Sequence, residues 1–258
     1  MATKLPGARW RPISTNFTKR KRTRTDAIVL HVTASLADSQ HVWFNNPRSA
    51  ASSHLHIALD GTIEQYVDLD LIAWASGEGN ARTVSIETAG TASGEWTPEQ
   101  CVSLVHALAW LCGHYDVPVV LMDSSDVDEV GIGWHRLGID GAFPALPSIL
   151  AGREQRGGGE HWSSSRGKVC PGDDRIEQIP EIVDDVHALL HPPLLEEDDM
   201  LLIRRLGAKN PKRRYALVSG GRAVEVARRS YTRLKKRTGQ TATQLVTADY
   251  DKIVRDWK

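Results

Sequence analysis

The stretch GKVCPGDDRI, residues 167–176, sets Lys168 two positions before Cys170 and then turns the chain at Pro171-Gly172. Cys170 is either a small buried hydrophobe, as most free cysteines are, or a thiolate held for a metal, with Lys168 reaching into the same site. A catalytic zinc takes three protein ligands from His, Cys and carboxylate and leaves a fourth position open for water. The candidates are His31 at the end of AIVLH, His135 after VGIGW, and Cys170. His31 and Cys170 each stand where a strand or loop ends, the usual place for functional groups. The three lie far apart in sequence, so spacing alone does not separate a metal site from histidines satisfied inside a core.

Elements must bring such residues together. AIVLHVTAS reads as a buried strand running into a polar turn, and SLADSQHVWFNN as a helix that stops at Pro47. SSHLHIALDGTIEQYVD reads as a hairpin about Asp60-Gly61. TVSIETAG is a further short strand. Thr97-Pro98-Glu99 opens a long helix, with Thr97 as N-cap and Pro98 at its first position. VPVVLM is β-rich. From about Gly131 to Gly167 the chain is rich in Gly, Pro and Ser and reads as a long functional loop. EQIPEIVDDVHALLHPP closes the domain as a helix ended by Pro192-Pro193. Behind it LLEEDD, residues 194–199, is a linker. RRYALVSGGRAVEV then suggests a hairpin about Gly220-Gly221, followed by a basic helix, a short strand and a last helix ending at Trp257. Strands alternating with helices predict an α/β domain with a central, mainly mixed sheet flanked by helices, and a small α+β unit behind it.

The 258 residues suit one large domain with an appendage, and 41% hydrophobic and 25% charged residues are ordinary for a globular chain. No run approaches the roughly 18 apolar residues of a membrane-spanning helix. The N-terminal stretch has charges but no apolar core, so it does not read as a secretory signal. Three cysteines do not make a disulfide framework. Cys101 and Cys112 fall roughly 16 Å apart along one helix, too far for a bridge, and read as core. The balanced charge hides an asymmetry. Residues 200–258 hold 16 Lys/Arg against 4 Asp/Glu, a net +12, and the first 199 hold 16 against 28, a net −12. A basic tail on an acidic body sets the expectation of an anionic partner, a cell-wall polymer or membrane, unless it is only a solvated charged face. Nucleic acid is the lesser expectation, because the tail has few aromatics and no base-reading motif.

IVLHVTAS, SSHLHIALDGTIEQYV, IAWASGEGN, VSIETAG, TPEQ, GWHRLG and KVCPGD follow one another over about residues 26 to 190. In that order they resemble the zinc-dependent N-acetylmuramoyl-L-alanine amidases, a family that includes peptidoglycan recognition proteins and phage endolysins. The long loop and RGKVCPGD look most like endolysins of phages that infect actinobacteria. The resemblance implies an amidase domain over residues 1–193, with its core at about 26–190, and the charge asymmetry sets a separate basic C-terminal domain over 200–258, expected to target the cell wall. It implies a hydrolase of the bond between N-acetylmuramic acid and L-alanine, with peptidoglycan as its partner. It places zinc on His31, His135 and Cys170. His161 is the alternative to His135, because relatives set this His about ten residues before the last ligand; His135 is favoured because it ends a strand. Lys168 matches a lysine that stabilises the oxyanion, and Glu87 a glutamate that acts as general base toward the attacking water. Many endolysin relatives carry a tyrosine where Ser53 stands here, which shifts weight onto Glu87. Ser53 and Trp74 are expected at the substrate, and His54 and His56 in supporting positions. The rival implied by the same family is a peptidoglycan-binding module that does not cut; such members typically lack the last zinc ligand, which Cys170 supplies. For an endolysin the resemblance implies synthesis in the host cytoplasm without a signal peptide and release through a separate permeabilising protein.

Overall fold

The computed structural model describes residues 2–151, 153 and 159–190, together with four strands between residues 201 and 245. The chain divides into two compact units, Met1–His191 and Pro192–Lys258.

The first unit is built on six strands: β1 (Arg9–Trp10), β3 (Ala27–Val32), β4 (Leu55–Ile57), β5 (Ile63–Gln65), β7 (Thr83–Thr88) and β8 (Gly131–Trp134), in the order β1-β5-β4-β7-β3-β8. Only the β4–β5 hairpin is antiparallel; all other neighbours run parallel. Two further strands, β2 (Phe17–Lys21) and β6 (Leu71–Ala73), pair in a small separate sheet. The helices are α1 (His41–Phe44), α2 (Pro98–Tyr115) and α3 (Asp173–Leu190). This is the expected mixed α/β sheet flanked by helices.

Side chains alternate across a strand, and here the alternation divides the sheet into two faces of different character. Ile28, Leu30, Leu55, Ile57, Ile86, Ile132 and Trp134 form one face. They join Leu104, Leu108 and Leu111 of α2 and Ile176, Ile179 and Val183 of α3 in one core. Full burial of a side chain of this size contributes about 1.5–3 kcal/mol. The other face carries His31, His54, His56, Glu64, Ser85 and Glu87, all aligned by the strand register. β3 is buried on both faces, which is why AIVLHV reads as a continuous run rather than an alternation.

The N-cap expectation holds in full. The Thr97 hydroxyl accepts from the Gln100 N–H, and the Gln100 side chain accepts from the Thr97 N–H, a reciprocal capping box. Three expectations are corrected. The helix foreseen from Ser35 begins only at His41, because the Ser39 hydroxyl is spent on Glu64 (2.6 Å) and Pro47 opens a separate short 3₁₀ turn. VPVVLM forms no strand. Leu121 alone pairs with Ile132, through bonds from Ile132 N to Val120 O and from Met122 N to Ile132 O. The long loop begins later than Gly131, since Gly131–Trp134 is the edge strand β8. The last helix of this unit starts at Asp173 and carries Pro180 within it.

The second unit contains β9 (Leu201–Arg205), β10 (Tyr215–Ser219), β11 (Arg222–Val226) and β12 (Thr243–Leu245), ordered β11-β10-β9-β12. β10 and β11 pair antiparallel, with Ser219 opposite Arg222. The linker at 194–199, the two tail helices, Pro192-Pro193 and Gly220-Gly221 lie outside the described residues. No described helix is long and apolar enough to cross a membrane.

Candidate metal centre

His31 is the penultimate residue of β3, and in the register it stands directly beside Glu87 of β7. β8 continues the row on the other side of β3. Leu30 pairs with Trp134, so His135, the next residue, leaves the sheet beside His31, with ring centroids 4.4 Å apart. Cys170 comes from the far end of the chain. It is fixed by the N–H of Val32, which donates to its Sγ at 3.2 Å. One ligand atom from each of His31, His135 and Cys170 falls within 4.8 Å of the others, and all three residues are buried. His161 stays outside this group. It is half exposed, with Nδ1 3.6 Å from Asp140, and its N–H donates to Glu78.

The surroundings of each residue say what it can do. The Nε2–H of His135 donates to the Trp162 carbonyl at 3.0 Å. That bond fixes the tautomer and leaves Nδ1 as a lone-pair atom, buried and without a hydrogen-bond partner. Burial, then the charge of Lys168, pushes His135 down to about 4; burial, then His135 and Lys168, holds His31 well below its ordinary value. Both imidazoles are therefore neutral, the form that binds a cation. Burial, reinforced by Glu87, pushes the Cys170 thiol up, a cost that a bound cation reverses by taking the thiolate directly. Two neutral imidazoles and one thiol with ligand atoms within 4.8 Å of one another, and an orphaned Nδ1 among them, fit a zinc ion held by three protein ligands.

Glu87 lies at the edge of this group. Its Oε1 is 4.0 Å from His31 Nδ1, its Oε2 has no partner, and its side chain is 15% exposed. Burial raises its carboxyl to about 8, and Lys168 opposes the shift. A carboxyl tuned near neutrality can take and return a proton at working pH. Lys168 itself is exposed, and its charge is felt at His31, His135, Glu87 and Cys170. Gly172 adopts φ +106°, and a Cβ there would come within 2.2 Å of the Ala92 carbonyl, so only glycine lets the chain leave Cys170 along this path.

The two residues expected at the substrate differ. Trp74 is 39% exposed and its indole N–H donates to Thr18. Ser53 has no exposed surface. Its hydroxyl is taken up by Leu55 O, Ser85 O and the Ser85 hydroxyl, so it braces β4 against β7 and offers nothing to a ligand. His54 is likewise spoken for, by Ser85 and by the Leu71 carbonyl.

One determinant escapes a reading of the sequence. Trp162 is buried, its N–H donates to Gly138 O at 2.6 Å, and its indole lies where a Cβ on Gly138 would sit. Glu160 accepts from the Trp162 indole N–H, as distinct from its backbone N–H, and from Arg82. This packing aims the carbonyl that orients His135. The orienting atom is backbone, so no residue type announces it.

None of the curated proteins compared matches the chain in sequence. Among solved structures, the chain resembles an endolysin N-acetylmuramoyl-L-alanine amidase, LysCS, from Clostridium intestinale, at 17% identity and TM-score 0.47, over 73% of this chain and 98% of that one. It resembles the hydrolase AmiA of Staphylococcus aureus at 16% identity and TM-score 0.46, over 72% and 85%. The Ph2119 endolysin of a Thermus scotoductus bacteriophage gives 16% identity and TM-score 0.43, over 64% and 88%. The family model described as N-acetylmuramoyl-L-alanine amidase matches residues 21–173, more than half of the 258. That span holds all of the six-stranded sheet except β1, the buried His-His-Cys group and Glu87, and on it the chain belongs to the N-acetylmuramoyl-L-alanine amidase family.

Proposed function

We propose that this protein hydrolyses the amide bond between the lactyl group of N-acetylmuramic acid and L-alanine in peptidoglycan, as a zinc enzyme with His31, His135 and Cys170 as ligands. The observation that carries the reading is the gathering of these three buried side chains within 4.8 Å, beside an unpartnered Glu87 oxygen. Zinc at this position supplies Lewis acidity toward a carbonyl oxygen and makes a water acidic enough to attack at neutral pH.

The chain's own residues do the rest. Glu87, with a carboxyl near neutrality, accepts the attacking water's proton at its oxygens and returns it to the leaving L-alanine amine. Lys168, exposed and with its charge felt at Glu87, His135 and Cys170, sets its ammonium against the negative charge that develops on the scissile carbonyl oxygen. The Trp162 carbonyl keeps the His135 ring in one orientation throughout. Trp74, partly exposed, offers apolar surface to the substrate. The resemblance of the motifs supports host-cell lysis by a phage as the setting.

The test is mass spectrometry of purified peptidoglycan after digestion, with and without a zinc chelator. Stem peptides with a free L-alanine amine are expected, lost on chelation and restored by zinc. Wall that is bound with zinc present but never cut would replace this reading with a recognition module.

A further inference from the structure

His56, on the polar face of the sheet, is engaged neither by the reaction above nor by a hydrogen bond, whereas its neighbours His54 and Glu64 are both hydrogen-bonded. In the register it faces Glu64 of β5 on one side and Glu87 of β7 on the other. It has no exposed surface, and neither ring nitrogen has a hydrogen-bond partner. An unsatisfied buried polar atom destabilises a fold, and a leucine would fill this space without that penalty. His54, two residues earlier on the same face, satisfies both nitrogens, so the strand does not force histidines here to go unpaired.

The two sides of His56 are not equivalent. Glu64 is fully engaged: Arg11 donates to it at 2.9 Å, Ser39 at 2.6 Å and Tyr66 at 2.7 Å. The Tyr66 ring lies nearly parallel to the imidazole, centroids 6.3 Å apart, and closes that flank. On the Glu87 side the opposite holds, for Oε2 is buried and has no partner. Unpaired nitrogens and an unpaired oxygen therefore sit on adjacent strands of the same face, with no direct bond between them. One bridging atom completes both, at an enthalpy close to that of a direct bond. A neutral imidazole offers one N–H for that purpose.

We propose that His56 is the positioning residue for Glu87: its ring N–H donates, through one bridging water, to Glu87 Oε2, and so keeps Oε1, on the His31 side, free for the attacking water's proton. This rests on the amidase reading for Oε1's task, and on geometry alone for the link itself.

The experiment takes the full chain, zinc-loaded, with His56→Leu, His56→Gln and His56→Asn, and reads zinc content, thermal midpoint, kcat and KM on peptidoglycan. His56→Leu is expected to keep zinc and fold, hold KM, and lose about tenfold or more in kcat, part of the range a positioned base contributes. Gln and Asn place an N–H near one or the other ring nitrogen, and at least one is expected to recover most of that loss. His56→Leu added to Glu87→Gln should cost no more than Glu87→Gln alone. An unchanged kcat in His56→Leu, or a change in KM only, overturns the assignment. The link is also read without turnover. In protein carrying 15N-labelled histidine, the His56 ring signals should report one tautomer and move in Glu87→Ala; signals indifferent to Glu87 overturn the proposal even if the wall is never cut.

Discussion

Cys170 and His135 show how differently two residues of one site declare themselves. Cys170 stands in a motif, GKVCPGD, whose turn depends on a glycine that the sequence displays openly. The second histidine offers two readings, and geometry places them apart: His135 beside His31, His161 half exposed against Asp140. The distinction is one of strand ends. His135 inherits its position from β8 in register with β3, whereas His161 follows the glycines of a loop. Cys170→Ser and His161→Ala should therefore separate cleanly. After dialysis, metal analysis should find zinc near zero in Cys170→Ser, against about one ion per chain in the parent. His161→Ala should keep both zinc and activity; the reverse pattern would make His161 the ligand. Ser53 marks the opposite lesson. A position inferred from relatives with a larger side chain fell on a hydroxyl buried in the β4–β7 contact.

At the scale of elements, what was legible followed from local chemistry. The α2 start is announced by Thr97, Pro98 and Gln100, and the β4–β5 turn by Asp60-Gly61, because each signal concerns atoms a few residues apart. What failed depended on distant partners. Residues 36–40 carry helix-compatible residues, yet Ser39 and Gln40 are claimed by Glu64 and Tyr66. VPVVLM has strand composition but meets another strand at one position only. The cap at Thr97 does more than begin a helix, since its hydroxyl also donates to Leu59 O and ties α2 to the hairpin. Thr97→Ala should cost about 1–2 kcal/mol. That is a fall of about 2–8 °C in thermal midpoint by calorimetry; a midpoint within error of the parent would deny the cap that role.

Over the whole molecule the division of the sheet into an apolar and a polar face sets how stability responds to acid. Burial holds His54 at about 3, and His56 and His135 at about 4, with His31 also well below 6.5, while Glu87 rises to about 8. The signs oppose one another. A histidine lowered in the fold leaves stability intact above about pH 6.5, and the stability drains as pH falls, because the unfolded chain binds the protons first. A glutamate raised in the fold does the reverse, so the fold gains as pH falls from about 8 toward 4.5. Between about 8 and 6.5 Glu87 dominates, and below 6.5 four histidines outweigh it. Thermal melts of the chelator-treated protein should peak near pH 6.5, and Glu87→Gln should flatten the alkaline side. A midpoint that climbs steadily from pH 7 to pH 5 would contradict the burial of these rings.

The Trp162 clasp has a bearing on how such a chain can diversify. A backbone bond from Trp162 to Gly138 and the indole seated on that glycine close the neck of everything between them. The bond from His135 to the Trp162 carbonyl is made at that neck, not in the chain beyond it. The cheap variables of this architecture are thus exposed positions of that stretch such as Ala142, Pro144, Ala145 and Ile149, whereas Leu146 and Leu150, buried in the core, and Arg153, paired with Asp123, hold it to the body.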